Sequence, residues 1–217
     1  MTDFFELQRL AGELELAGLL TILSILPLLV VTLTTFTRNV IVLSILRHAL
    51  GLQQSPPNII IILLAFLLMV FSMQTIFMSS YDQGVKPYLA EELEAKDALV
   101  SAWQPLRDFM ISQTQESDIT FFYEHSNAAI PDNPSDVQAT VLLPAFLVSE
   151  LKLAFKMGFI IFLPFLLVDV VIAAILTSMG MIMVPPITIS LPLKIMLFVL
   201  IDGWSLISEV LLRSAMT

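Results

Sequence analysis

The 217-residue chain has no cysteine and only two histidines, His48 and His125. Disulfides and thiolate-ligated metals are therefore excluded, and a His-rich metal or catalytic site has no support. No Gly-x4-Gly-Lys-Ser/Thr phosphate loop is present, so energy for any transport must come from elsewhere. No Ser/His, His-Glu-x-x-His or paired-aspartate motif occurs, which disfavours an intramembrane hydrolase. No catalytic residue, metal or cofactor is expected. Positive charge is scarce: ten Lys/Arg face nineteen Asp/Glu, a formal net charge of −9. This argues against nucleic acid and against an anionic lipid surface as partners. The start, Met1 to Glu15, sets Asp3, Glu6, Glu13 and Glu15 against Arg9 alone, the opposite of a basic signal-peptide region. Either the chain is a mature form or its acidic N-terminus is translocated without a cleaved leader. No fixed-period repeat and no low-complexity tract is found.

What is present is grease. Hydrophobic residues make up 57% of the chain and charged residues 13%, with a mean hydropathy of +0.90. That is membrane composition. Four apolar stretches are visible: Leu14 to Leu46, interrupted by Pro27 and Arg38-Asn39; Asn58 to Met78, read as one clean span; Val141 to Thr177; and Met181 to Leu212, with Pro185, Pro186 and Pro192. The third is nearly twice as long as a bilayer core of roughly 30 Å requires. Pro164 lies in its middle, so a bent pair of helices is expected there. Residues 80–140 carry eleven Asp/Glu and three Lys/Arg. Glu91 to Val100 and Trp103 to Gln115 have helical apolar spacing, and Pro131 to Asp136 reads as a loop. Three parts follow: N-terminal hydrophobic helices over 1–79, an acidic insertion over 80–140, and C-terminal hydrophobic helices over 141–217. Arg47-His48 places the first turn inside and the acidic insertion outside, periplasmic in a bacterium. The fold class is all-α: kinked, membrane-derived helices forming hairpins, with a partly helical polar insertion, assembled in a ring.

Glu150, Lys152, Lys156, Asp169, Lys194 and Asp202 sit within strongly apolar sequence. Each such group is costly in hydrocarbon unless it is paired or faces water. These helices are therefore expected to face protein, and to border a pore. On a helix Lys152 and Lys156 share a face, with Glu150 about 160° away. Pairing of Glu150 with Lys152 or Lys156 of the next copy in a ring is the favoured reading; snorkelling to an interface is the other. Asp169 and Lys194 are candidates to pair across the third and fourth stretches, and Arg38 is read as a structural partner. Met179, Met181 and Met183 alternate between Gly180 and Pro185-Pro186, outside any regular helix. Copies of this flexible, apolar segment around an axis would make a gasket; plain core packing stands as the alternative.

Several runs then become familiar. Phe36-Thr37-Arg38-Asn39-Val40, Leu46 to Gly51 and Pro56-Pro57-Asn58 resemble the FliP family of flagellar export-gate proteins, called SctR in virulence injectisomes. So do Leu143 to Phe146, Ser149-Glu150-Leu151-Lys152, Gly158-Phe159, Leu163-Pro164-Phe165 with Asp169, Met179 to Pro186, and Leu191 to Lys194 with Asp202-Gly203-Trp204. Gln104 to Met110 and Gln113-Thr114 are similar to the flagellar branch. The resemblance covers nearly the whole chain. It implies a core component of the type III export gate, assembled as a pentameric ring with FliQ-type and FliR-type subunits beside FlhB-type and FlhA-type export proteins. It also implies a place in the inner membrane and flagellar basal body, and passage of unfolded substrates one chain at a time. The family's methionine loop falls on Met179, Met181 and Met183, with Ile182 where a further Met is common, so a slightly stiffer gasket is implied. Its charged Ser-Glu-Leu-Lys position falls on Glu150. An injectisome subunit is the nearest alternative. An ion-coupled transporter, suggested by buried carboxylates and Pro-broken helices, would need internal repeats that are not seen.

Overall fold

The computed structural model describes residues 20–216 apart from 22, 26, 127, 128, 132, 134 and 135. The acidic start, the beginning of the first apolar stretch and part of the loop at 131–136 lie outside the described residues.

Among the described residues the fold is all helix. In chain order the elements are α1 (Pro27–Leu33), α2 (Phe36–Ala49), α3 (Asn58–Ser72), α4 (Gln74–Ser80), a π-helical turn (Tyr81–Val85), α5 (Lys86–Leu89), α6 (Ala95–Gln113), α7 (Glu116–Glu124), α8 (Ala139–Ser178), α9 (Ile187–Leu200) and α10 (Gly203–Met216).

α8 is the spine. Its 40 residues make a rod of about 60 Å, long and apolar enough to cross a membrane. The bent pair of helices expected at Pro164 is not what forms: α8 runs through both Pro144 and Pro164 as one helix. A proline removes a single amide bond, and in apolar surroundings a fully broken backbone would leave more polar groups unpaired than that. The bends fall elsewhere. α1 meets α2 at 81°, α3 meets the Gln74–Leu89 rod at 59°, and α9 meets α10 at 64°. Thus Asn58 to Met78 is not one clean span but breaks at Met73, which is fully buried between the two halves. The fourth stretch breaks at Ile201-Asp202, where Asp202 takes φ 50°. In the first stretch the break within the described residues comes at Thr34-Thr35 rather than at Arg38-Asn39. Residue 80 falls inside the continuous Gln74–Leu89 rod, so helix runs unbroken from apolar into polar sequence.

Two apolar cores meet along α8. One gathers Val42, Leu43 and Leu46 of α2, Ile61 and Ala65 of α3, Ala154 and Phe165 of α8, Phe198 of α9, and Ile207 and Leu211 of α10. The other gathers Met69 and Met73 with Phe109 and Met110 of α6, Tyr123 of α7, and Val141, Leu142 and Phe146 of α8. The helices approach closely where side chains are smallest. A Cβ on Gly158 would lie 2.4 Å from Ile45, so α2 can press onto α8 there. Likewise Gly84 of the π turn abuts Ala98 and Ala102 of α6.

Gly158→Ala forces Ile45 or the helices themselves to shift. A loss of about 1–3 kcal/mol is expected, as for overpacked cores. Thermal unfolding of the purified protein in detergent checks this; an unchanged midpoint would mean that Ile45 is free to turn away.

Candidate functional site

Arg38 lies in the first turn of α2, where the helix dipole disfavours a cation. It is nevertheless fully buried, and all of its donors are used. Nε donates to Glu150 Oε2 at 2.8 Å, and Nη2 donates to Glu150 Oε1. Nη2 also donates to Gln113 Oε1 at 2.8 Å. Nη1 donates to the Ser214 carbonyl at 2.6 Å and to Ser214 Oγ at 3.0 Å. One guanidinium thus joins α2, α8, the last residue of α6 and the last turn of α10, where it satisfies a carbonyl that the helix itself leaves free.

The pairing of Glu150 with a lysine of the next copy is corrected by this geometry. Its cation is Arg38 of the same chain, which approaches both carboxylate oxygens from α2. Lys152 is also engaged within the chain: its ammonium donates to Asp118 Oδ1 on α7. Ser149 Oγ donates to Asp118 Oδ2 at 2.6 Å and accepts from the Gln115 amide at 3.1 Å. Burial pushes the Asp118 carboxyl upward; hydrogen bonds from Lys152 and Ser149, with the Lys152 charge, outweigh it and hold the group below the ordinary carboxylate value.

Lys194 is buried on α9 and donates to Asp169 Oδ2 at 2.5 Å and to the Ala49 carbonyl at 3.0 Å. It therefore ties α8 to α9 and caps the C-terminus of α2. Lys156 and Asp202 are exposed and have no ion-pair partner among the described residues. The structure does not bring these two together with the others.

The methionine segment closes the α8–α9 hairpin. α8 ends in a turn that Gly180 makes possible at φ 73°. The Gly180 amide donates to the Thr177 carbonyl and the Met181 amide to Leu176, a paired closure that needs a left-handed residue at this point. Pro185 and Pro186 then precede α9. Met179, Met181, Ile182 and Met183 are all exposed, Met183 at 96%. Core packing within this chain is therefore not their role.

A model of the FliP family matches residues 19–211. The flagellar biosynthetic protein FliP of Caulobacter vibrioides is 45% identical over 200 residues, covering 92% of this chain and 75% of that protein. The Bacillus subtilis protein of the same name is 41% identical over 207 residues, 95% of this chain and 94% of that one. That of Aquifex aeolicus is 43% identical, with 95% and 87% covered. The chain belongs to the FliP family. In this FliP-family chain the network partners Gln113, Asp118, Ser149 and Ser214 escaped sequence reasoning. Gln113 and Ser149 stand inside motifs that carried the resemblance, which was a usable signal. Asp118 and Ser214 gave none: an acid in an acidic insertion reads as solvated, and a serine near a helix end reads as surface.

Arg38→Ala strands Glu150 as a lone buried charge, a change that typically costs about 3–5 kcal/mol. Folded yield and thermal midpoint should both fall, and Arg38→Lys should rescue only in part because an ammonium cannot span the two Glu150 oxygens and Ser214 together. For Asp118 the folded carboxyl titrates below its unfolded value, so its stabilising effect is present above the ordinary carboxylate range and is lost as pH falls through the folded value. Hydrogen exchange of α7 should rise on that acid side, and Asp118→Asn should remove the pH dependence.

Proposed function

We propose that this chain is a core channel-forming subunit of the flagellar type III protein-export gate, conducting unfolded substrates and sealing the pore with its methionine loop. The observation that carries the reading is that loop. Four large apolar side chains are presented at a hairpin tip instead of being buried, and methionine's unbranched thioether adapts to whatever it presses against. Family membership and the flagellar names of the relatives support the flagellar branch. The helices support a channel wall. Arg38, Glu150 and Lys194 turn inward while α3, α8 and α9 expose apolar faces, so that other polypeptides or lipid must cover them.

In this reading copies form a pentameric ring with FliQ-type and FliR-type subunits, next to FlhB-type and FlhA-type proteins. The assembly sits in the inner membrane at the basal body, with the acidic insertion in the periplasm. The part played by the chain is conduction and closure, with no chemistry of its own. Glu150 and Arg38 keep each subunit's helices in register, Lys194 and Asp169 brace the loop hairpin, and Met179, Met181 and Met183 meet their counterparts on the axis. A ring of such side chains excludes water and ions by contact and dewetting.

Replacing Met179, Met181 and Met183 together by Ala should leave assembly unchanged by native mass but let small ions cross the closed complex. Conductance of the purified complex in planar bilayers checks this, and ion tightness equal to that of the unmodified complex would remove the gasket.

A further inference from the structure

Every other ionisable group in the apolar helices discussed above finds a partner within the chain; Lys156 and Asp202 have none among the described residues. Both are exposed. Lys156 stands on α8 between Phe155 and, one turn on, Phe159 and Ile160, whose exposures are 60%, 62% and 59%. Its α-carbon has roughly 25 Å of helix on one side and over 30 Å on the other. Asp202 follows Val199, Leu200 and Ile201, all exposed, and precedes an exposed Trp204. Two charges left on so apolar a surface need water or opposite charges from outside the chain.

Their neighbours in the chain line one cavity. A cavity of about 290 Å³ between α8 and α10 is lined by Met157, Ile160 and Ile161 on one side and by Ile201 and Gly203 on the other. α9 runs back along α8 with Phe198 against Phe165, so Asp202 lies within about two helical turns of the height of Lys156. The chain carries a cation and an anion at similar height on an apolar surface, and they form no ion pair with each other. That is the condition for a head-to-tail contact between identical copies, in which one surface of a copy meets a different surface of the next. The conformation at Asp202 needs no charge: at φ 50° asparagine serves as well as aspartate.

We propose that Lys156 of one copy pairs with Asp202 of the adjacent copy, and that this contact sets the height at which neighbouring copies engage. The pairing rests on the ring reading above. It replaces the inter-copy role that Glu150 loses to Arg38. The surrounding apolar side chains supply the area, and the ion pair supplies the register, since a slip along α8 would leave two charges unneutralised in an apolar contact.

The absence of native cysteine makes the test clean. Two tagged forms of the chain, one Lys156→Cys and one Asp202→Cys, are co-expressed with the rest of the export gate, and the complex is treated with a short bis-maleimide, because a lysine–aspartate pair holds its α-carbons too far apart for a direct disulfide. A cross-link between the differently tagged copies is expected, absent when both copies carry Lys156→Cys. Lys156→Asp and Asp202→Lys should each lower the yield of ring-sized complex about tenfold by native mass. The double exchange should restore most of it, and Asp202→Asn should behave as a mild form of Asp202→Lys. If rings of several copies form but no cross-link appears and the single reversals assemble normally, the pair is overturned while the ring stands. If native mass finds a single copy of this chain per complex, the ring reading itself falls. If Lys156→Asp impairs only membrane insertion, with Asp202→Lys silent, Lys156 serves lipid phosphate and the pair is again overturned.

Discussion

A guanidinium with all its donors occupied, sealed from solvent where four helices converge, is the constraint to which the rest of the chain is fitted. Arg38 cannot lose its charge, and no water reaches it. Its partners must therefore arrive together: Glu150 from α8, Gln113 from α6, Ser214 from α10. Such a node adds little to net stability relative to a well-packed apolar substitute, because desolvating two ions offsets most of their attraction. What it adds is exclusion of alternatives. Greasy helices slide past one another at small cost, but a helix that slides here strands a charge. The node lies where the two apolar cores meet, and Phe36, two residues before Arg38, packs against both.

The polar contacts divide by location. The Arg38 node and the Lys194 contacts lie within the apolar helices, while Asp118 reaches them from the insertion to hold α7 against α8 through Ser149 and Lys152. The insertion is therefore fastened to the spine rather than hung from it. The outer faces show the reverse pattern, with leucine, isoleucine, valine and phenylalanine exposed along α3, α8 and α9. Charges inside and grease outside define a subunit whose remaining surface is meant for an apolar environment.

Composition and hydropathy made the all-α membrane class legible, and motif order made the family legible. Sequence alone also suggested Asp169 and Lys194 as partners, because two opposite charges in facing apolar stretches leave few other choices. The partner of Glu150 was not legible. Arg38 lies 112 positions away, and helical periodicity speaks only of neighbours three or four residues apart. The bends were misplaced for a related reason. Proline is a visible breaker, so Pro164 drew attention, yet α8 absorbs it. The actual bends, at Thr34-Thr35, Met73 and Ile201-Asp202, arise where tertiary packing redirects the chain and no proline stands. Exposure of the methionine loop was ambiguous in sequence because methionine serves equally in cores and at contacts; only the placement of Gly180 and the two prolines hinted at a tip.

The hairpin that carries this loop is stiff at its base and soft at its end. Lys194 binds both Asp169 and the Ala49 carbonyl, so α8 and α9 are pinned to each other and to the end of α2 about 15 Å of helix below the loop. Gly51, just past the end of α2 at φ 77°, takes a left-handed conformation, and a Cβ there would lie 3.2 Å from Leu191 of α9. Beyond this brace the chain has Gly180, with nothing within 4 Å of where a Cβ would stand, and the nearly fully exposed side chains of Ile182 and Met183. A loop built this way can yield at its tip while the helices beneath keep their hydrogen bonds and their buried charges. In the proposed gate, a polypeptide entering the pore would displace only exposed methionine and isoleucine side chains. Opening then requires no buried ion pair to break, so the energetic demand of passage is separated from the much larger demand of keeping the subunit folded.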